Sequence, residues 1–160
     1  MGQIDFNKVW QNFLDTLTNH YVDFNGRVGR QQFWFYMLVM AVLYLAVAIV
    51  ASITIGALST LFSLAVLLPN LGMVVRRLHD TGKPGIYAAL LAVPIVFSLL
   101  MFILMLATGP FGALFFFAGF LTLIWLVDLV ILAVMIYLCA QPGQAGDNQY
   151  GPPPPVWTPG

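Results

Sequence analysis

The chain has 160 residues, of which 61% are apolar and only 8% are charged. Typical soluble domains carry about 25% charged residues, so this composition excludes an ordinary soluble domain and predicts a membrane protein. The formal net charge is zero, and nucleic-acid binding needs a basic surface, so we expect no nucleic-acid partner.

The first 22 residues predict an amphipathic helix. Its apolar side chains recur at helical spacing, with polar side chains opposite; they are Phe6, Val9, Trp10, Phe13, Leu14, Leu17 and Tyr21. One interpretation is a helix that lies in the cytoplasmic membrane interface, with Trp10 as an anchor. The other is a helix that packs on the cytoplasmic ends of a bundle. Phe24-Asn25-Gly26 then predicts a turn, because Asn and Gly tolerate positive φ.

Two long uncharged stretches follow, at residues 31–75 and 84–127. A helix crosses a bilayer with about 20 apolar residues, so each stretch is long enough for two crossings. Gly56-Ala57-Leu58-Ser59 interrupts the first stretch, and Thr108-Gly109-Pro110 interrupts the second. We therefore predict an all-α membrane protein, a four-transmembrane-helix bundle of two helical hairpins, with spans at 33–55, 58–75, 86–107 and 111–139. The alternative is one very long helix in each stretch.

The positions of the cations predict the orientation of the chain in the membrane. All six precede the first span or lie between the second and third; they are Lys8, Arg27, Arg30, Arg76, Arg77 and Lys83. By the positive-inside rule, both termini and the central loop are expected in the cytoplasm. The segment 141–160 is rich in Gly and Pro and ends in a proline run. Such a composition favours an extended cytoplasmic tail over a packed core.

Three short motifs occur in a fixed order. Phe24-Asn25-Gly26-Arg27-Val28-Gly29-Arg30 precedes the first span, Arg76-Arg77-Leu78-His79-Asp80-Thr81-Gly82 closes the second, and Gly146-Asp147-Asn148-Gln149-Tyr150-Gly151-Pro152 follows the fourth. In this order and spacing they resemble the bacterial inner-membrane family called domain of unknown function 805, over residues 5 to 152. The resemblance implies a small multi-span protein of the inner membrane. It implies no established activity.

The charged motifs suggest a cytoplasmic anion site. On a helical continuation of the second span, Asp80 is an i,i+4 neighbour of Arg76 and an i,i+3 neighbour of Arg77. One carboxylate facing two guanidinium groups leaves a surplus of positive charge. Guanidinium groups bind phosphate and carboxylate well. The candidate contacts for an anionic lipid head group or an acidic partner are Arg27, Arg30, Arg76, Arg77, His79, Asp80 and Lys83.

A structural role for the same residues is the alternative. They would then be topology anchors joined by an Arg–Asp network, with His79 as a hydrogen-bonding residue rather than a catalytic or pH-sensing group. The segment 148–152 either folds back onto this cluster or stays solvated.

Two polar residues fall inside the predicted spans, Asn70 and Asp128. An acid near mid-bilayer costs roughly 2.5–3.5 kcal/mol, so Asp128 should face protein or a wet cavity. It could relay protons or cations, contact another membrane subunit, or bond within its own bundle to Ser52, Thr54, Ser63 or Asn70.

The sequence contains no Gly-rich phosphate loop and no Cys/His cluster with metal spacing, so we expect no cofactor or metal and no enzyme activity. The expected function is that of an accessory or scaffold subunit, which packs against a membrane-protein partner, a second copy or anionic lipid. The main alternative is a small oligomeric transporter or channel that uses Asp128. A third is an enzyme acting on lipid head groups.

Overall fold

The computed structural model describes residues 4–54 and 57–159, with side chains at these positions except 101, 102, 104, 105 and 108–121. It contains the α-helices α1 (Phe6–Thr18), α2 (Arg30–Ile53), α3 (Ala57–Asp80) and α4 (Val93–Ala140). A 3₁₀ helix, Gly85–Ala92, connects α3 to α4. No β-strand is assigned in the described residues, which confirms the all-α class.

Helix α1 packs against α2 and α3. Asp5 caps its N-terminus by accepting a hydrogen bond from the Asn7 backbone N–H, which satisfies one of the free donors of the first turn. The side-chain amide of Asn12 donates to the main-chain carbonyl of Gln32, and the side-chain amide of Gln32 donates back to Asn12 Oδ1. This reciprocal pair fixes α1 to the first turn of α2.

Three helical segments of the described residues are long and apolar enough to cross a membrane: Arg30–Ile53, Ala57–Asp80 and Thr122–Ala140. The first two correspond to the first predicted hairpin. Helix α3 continues five residues beyond the predicted end of its span, so the motif 76–80 is helical. The predicted turn residue Gly56 lies outside the described residues.

The side chains of the second stretch are described mainly on either side of its predicted interruption. The structure assigns one helix, Val93–Ala140, across the expected interruption at Thr108-Gly109-Pro110, whose side chains lie outside the described part. A proline removes one backbone donor, yet in an apolar environment the remaining backbone groups still bond within the helix, and membrane helices tolerate Gly and Pro for this reason. The two spans predicted in this stretch therefore stay a prediction, as does the single long helix that is the alternative.

A proline inside α3 creates an unpaired carbonyl that a distant side chain satisfies. Pro69 has no N–H, so the carbonyl of Ala65, four residues earlier, loses its helical donor. The Tyr21 hydroxyl donates a hydrogen bond to that carbonyl. The proline therefore fixes the segment after α1 against the side of α3.

Helix α3 ends in a glycine cap. Gly82 has a φ of +76°, and its N–H donates to the His79 carbonyl at 3.0 Å, while the Lys83 N–H donates to the Leu78 carbonyl at 2.9 Å. These two bonds form a Schellman motif, which needs a left-handed residue at this position. The cap turns the chain sharply after Asp80.

The chain divides into two compact units, Met1–Gly85 with Gln141–Gly160, and Ile86–Ala140. The first unit is assembled from both ends of the sequence. All charged residues except Asp128 belong to it.

Candidate functional site: a buried arginine–aspartate cluster

Asp80 lies at the centre of a buried cluster with Arg27 and Arg77, called here the Arg–Asp cluster. Arg27 donates from Nε and Nη2 to Asp80 Oδ1, at 3.1 and 3.0 Å. Arg77 donates from Nη1 to Asp80 Oδ2. The side chains of Arg27, Arg77 and Asp80 are 1%, 0% and 4% exposed. One carboxylate therefore bridges two guanidinium groups away from water.

Main-chain carbonyls of the segment after α4 accept the remaining guanidinium donors. Arg27 donates to the Gln144 carbonyl, to Gly146 at 2.8 Å and to Gly151 at 3.2 Å. Arg77 donates to the Gln141 carbonyl. Buried charges need such partners to offset their lost hydration. The surplus positive charge predicted at this face is thus surrounded by peptide dipoles of the segment 141–151.

Gly143 allows this segment to approach the cluster closely. A Cβ atom at this position would collide with Asp80 Oδ2 and would lie 2.8 Å from the Asp80 Cγ atom. The Gln144 N–H donates to the Asp80 carbonyl at 2.8 Å. The segment therefore packs directly on the carboxylate that holds both arginines.

The predicted return of residues 148–152 to the charged motif is observed. The Asn148 side chain donates to the His79 carbonyl at 2.9 Å. The Tyr150 ring stacks on the His79 imidazole, with centroids 3.7 Å apart. His79 Nδ1 also lies 3.2 Å from the Gly26 carbonyl, and Gly26 has the positive φ, +77°, expected of the Phe24-Asn25-Gly26 turn. His79 thus contacts two distant segments of the chain.

Arg76 belongs to a different group of residues. It is buried, donates weakly to the Gly72 carbonyl at 3.4 Å and to Met73 Sδ at 3.3 Å, and forms an ion pair with Asp23 at 4.0 Å. Of the two pairings open to Asp80, the structure adopts the one with Arg77. Asp23 also accepts a 2.7 Å hydrogen bond from His20.

The pKa of the Asp23 carboxyl is set by opposing effects. Partial burial acts to raise it. Hydrogen bonds from the Asn25 backbone N–H and from His20, together with the charge of Arg76, outweigh burial and hold the pKa below its ordinary value of 3.8.

The other two candidate cations lie outside the cluster. Arg30, the first residue of α2, is exposed, and Lys83 is half-buried in the α3 cap. Their side chains have no hydrogen bond or ion pair with the described residues. They are the members of the predicted set whose charge stays available to another molecule.

Asn70 and Asp128 also have different surroundings. The Tyr36 hydroxyl donates to Asn70 Oδ1 at 2.8 Å. The Ser52 and Thr54 hydroxyls donate to carbonyls of their own helix. Asp128 Oδ1 is buried and has no hydrogen-bond partner among the residues whose side chains are described.

Several contributors to the site were missed by the sequence analysis. Gly143 and the carbonyls of Gln141 and Gln144 carry no sequence signal for binding arginine. Tyr21 and Asp23 were also missed. Pro69 was a usable signal for Tyr21, because a proline within a helix leaves a carbonyl that needs a donor. Among the described residues, no group of three or more His, Cys, Asp or Glu could hold a metal ion.

Comparison with known proteins identifies the family. The family described as "Protein of unknown function (DUF805)" matches residues 21–152. The chain belongs to this family. The DUF805 match contains all three sequence motifs and every residue of the Arg–Asp cluster.

Three Escherichia coli (strain K12) proteins are similar to this DUF805 chain. The "Inner membrane protein YhaI" is 33% identical over 104 residues, which cover 63% of this chain and 87% of YhaI. The "Inner membrane protein YhaH" is 26% identical over 149 residues, or 89% and 94% of the two chains. The "Uncharacterized protein YiiR" is 28% identical over 143 residues, or 85% and 88%. No solved structure matches. The family and these relatives establish a membrane protein of the inner-membrane type.

Proposed function

We propose that this chain is a non-catalytic accessory subunit of the inner membrane, which binds another membrane protein through Asp128. The observation that carries the proposal is the buried Asp128 Oδ1 without a partner in the described part of the chain. Around it, Trp125, Leu129 and Leu132 are exposed. A buried acceptor without a hydrogen bond costs about 1–3 kcal/mol, and a donor from a neighbouring subunit would remove that cost.

The Arg–Asp cluster supports a structural role rather than catalysis. Its guanidinium groups donate to Asp80 and to main-chain carbonyls, so the cluster joins the two ends of the chain. A catalytic site needs groups that can reach a substrate. The three side chains of the cluster, Arg27, Arg77 and Asp80, are almost completely buried. Their contacts favour a structural role, in which the cluster holds the membrane helices together.

The proposed topology is multi-pass, with both termini in the cytoplasm and four crossings. Gly85 lies against His79, and Gln141 accepts a hydrogen bond from Arg77, so the residues flanking the segment 86–140 meet in one unit. A straight helix of 48 residues would be about 72 Å long and could not return there. We therefore place a reversal of direction at Thr108-Gly109-Pro110, which makes two crossings of this segment.

Cysteine labelling tests this topology. In a Cys139→Ser background, Thr108→Cys should react with a membrane-impermeant maleimide on intact spheroplasts. Thr158→Cys should react only after permeabilisation. Labelling of Thr158→Cys from outside, or protection of Thr108→Cys from outside, contradicts the topology.

We also place α1 in the inner-leaflet interface. The helix has three faces: a packed face, a polar face and an apolar face that the described residues leave uncovered. The uncovered face contains Phe6, which is 80% exposed, with Trp10 and Leu14 one and two turns later. A lipid surface is the apolar environment that continues from the exposed faces of α2 and α3.

Quenching of Trp10 fluorescence tests this placement. In a variant whose other three tryptophans are replaced by Phe, lipids brominated near the head group should quench Trp10 more strongly than aqueous iodide. Dominant quenching by iodide contradicts an interfacial position.

The accessory role is tested by co-isolation from native membranes in mild detergent. The wild-type chain should recover a membrane-protein partner in stoichiometric amount, and Asp128→Asn should reduce that recovery at least tenfold. Asp147→Asn makes the same chemical change on an exposed tail residue and should leave recovery unchanged. Recovery of only the chain itself, or equal recovery by both variants, refutes the role.

Proton-coupled transport makes a different prediction for Asp128→Asn, namely lost flux in proteoliposomes that contain this chain alone. Asp128 is the only Asp, Glu, Lys or Arg between residues 84 and 140. Transport paths normally contain several polar side chains, so we favour the accessory role.

Lys83 is our proposed contact for anionic head groups, because its charge is unpaired among the described residues. Lys83→Gln should reduce retention of phosphatidylglycerol through purification. Arg27→Gln is unsuitable for this test because it would disrupt the buried cluster.

A further inference from the structure

The C-terminal segment contains a run of four prolines, Pro152–Pro155, between Gly151 and Val156. Proline fixes φ near −65° and restricts the preceding residue to extended conformations. The run is therefore a polyproline II helix, which has three residues per turn. Consistently, residues 153–159 have no assigned helix or strand.

One edge of this polyproline helix rests on the protein. Gly151, Pro154 and Trp157, at a spacing of three, are half-buried. The Gly151 carbonyl accepts from Arg27, and Pro154 Cγ lies 3.8 Å from the Cβ position of Gly29. The Trp157 ring packs on Phe35, with centroids 5.6 Å apart.

The segment is therefore ordered by its own chain. Beyond Trp157, the Asp5 N–H donates to the Pro159 carbonyl. Trp157 also borders a surface cavity of about 250 Å³ beside the polar face of α1. These contacts at both ends hold the proline run in a fixed position.

The other two edges of the helix are exposed. They form the proline ridge, defined here as Pro152, Pro153, Pro155 and Val156, of which Val156 is 94% exposed. Arg30 follows Gly29, the residue under Pro154, and its exposed cation has no partner among the described residues. The ridge thus presents apolar rings at polyproline spacing with an available positive charge near its base.

We infer that the proline ridge is a docking surface for a partner protein whose groove is lined by parallel aromatic side chains and carries a carboxylate at its rim. Aromatic grooves recognise polyproline helices because the helix is rigid and loses little entropy on binding. Here the anchors at Gly151, Pro154 and Trp157 order the helix before binding, which lowers that entropy cost further. The carboxylate complements Arg30.

This surface is separate from the membrane contact proposed for Asp128. The DUF805 match ends at residue 152, so almost the whole ridge lies outside the matched residues. The two proposals can fail independently, because Asp128→Asn and the ridge variants affect different interfaces.

Photo-crosslinking in native membranes tests the inference. A photoreactive amino acid at position 156 of the full chain should give one adduct with another protein. Pro152→Ala with Pro155→Ala should reduce the adduct at least tenfold, and Arg30→Glu should reduce it severalfold. Thr158→Ala changes an exposed neighbour outside the ridge and should leave the adduct within twofold of the original. The thermal midpoint of each variant, measured in detergent, should match that of the wild type.

The inference is supported when the captured protein, once purified, binds the full chain in nanodiscs and the variants rank in affinity as they do in crosslinking. Changing the aromatic residues of the partner's groove to Ala should also abolish binding. Four results overturn it: no adduct at position 156, an adduct with twice the mass of this chain, an adduct with lipid only, or an adduct that survives the double proline substitution. Loss of binding together with a lowered thermal midpoint in every ridge variant also overturns it, because the segment would then be only a structural strap.

Discussion

Replacing Gly143 with Ala should destabilise the protein through the Arg–Asp cluster. The added methyl group would collide with Asp80 Oδ2 and would lie 2.8 Å from Cγ and 3.0 Å from Oδ1. Either the carboxylate or the segment 141–151 must move. A shift of the carboxylate weakens its bonds to Arg27 and Arg77, and a shift of the segment weakens the bonds from both arginines to its carbonyls.

The size of the effect follows from these contacts. Hydrogen bonds to charged groups contribute about 1.5–3 kcal/mol each, and breaking a buried ion pair outright costs about 3–5 kcal/mol. Because Gly143→Ala displaces the hydrogen-bond partners without removing them, we expect the free energy of unfolding to fall by about 2–3 kcal/mol. For a chain of this length each kcal/mol lowers the thermal midpoint by about 2–4 °C, so the expected decrease is about 4–12 °C.

Gly146→Ala is the matched control. Gly146 lies in the same segment, has no atom within 4 Å of its Cβ position, and like Gly143 does not have a positive φ. Both substitutions reduce the entropy of the unfolded chain by a similar amount, about 0.4–1 kcal/mol in favour of folding. The control should therefore unfold at or slightly above the wild-type temperature.

Tryptophan fluorescence during heating, in one detergent and at one protein concentration, measures both variants. Limited proteolysis should in addition cut Gly143→Ala faster within residues 141–151. A midpoint for Gly143→Ala within 2 °C of the wild type, or an equal decrease in Gly146→Ala, would refute the packing argument.

Three further predictions concern the first unit. Tyr21→Phe should lower the free energy of unfolding by about 1–2 kcal/mol, because it removes the donor to the Ala65 carbonyl. In a double-mutant cycle measured by thermal melting, Pro69→Ala should recover part of that loss. Strictly additive effects of the two substitutions would contradict the proposed link. Gly26→Ala should lower the free energy of unfolding by about 1 kcal/mol. The φ of +77° is the sole cause, since no atom lies within 4 Å of the Cβ position. An unchanged thermal midpoint would contradict this prediction. Because folding lowers the pKa of Asp23 from 3.8, its stabilising effect should be present above that unfolded pKa and disappear as the pH falls through the lower folded pKa. Melting curves below about pH 4 should show a smaller pH dependence for Asp23→Asn than for the wild type.

The sequence predicted the local features of the molecule well. Uncharged stretches and a glycine turn are short-range patterns, and α2, α3 and Gly26 agree with them. A helix, α1, also lies within the predicted N-terminal segment, and its amphipathic, interfacial character stays a prediction. The predicted interruption at Thr108-Gly109-Pro110 falls among residues whose side chains the structure does not describe, and it stays a prediction.

The candidate site was predicted only in part. The motif Arg76–Gly82 indicated that Asp80 would meet arginines, yet it left two partners possible. Helical spacing allows both Arg76 and Arg77, and the choice depends on what lies against each face of α3. Asp23 faces Arg76, whereas Arg27 and the segment 141–151 surround Arg77 and Asp80.

What the sequence alone determined is the environment and the class of this protein, since composition fixes which solvent each helix can tolerate and the three motifs specify the DUF805 family. Tertiary structure decided which charges are paired, because Arg27 and Asp80 lie 53 positions apart in the sequence, and Arg76 pairs with the equally distant Asp23. It also decided which cations stay available, Arg30 and Lys83 rather than Arg27 and Arg77. The physical reason is that the burial of a side chain depends on the segments packed over it. Every residue has a backbone carbonyl, so no sequence pattern could predict that those of Gln141 and Gln144 would accept from arginine.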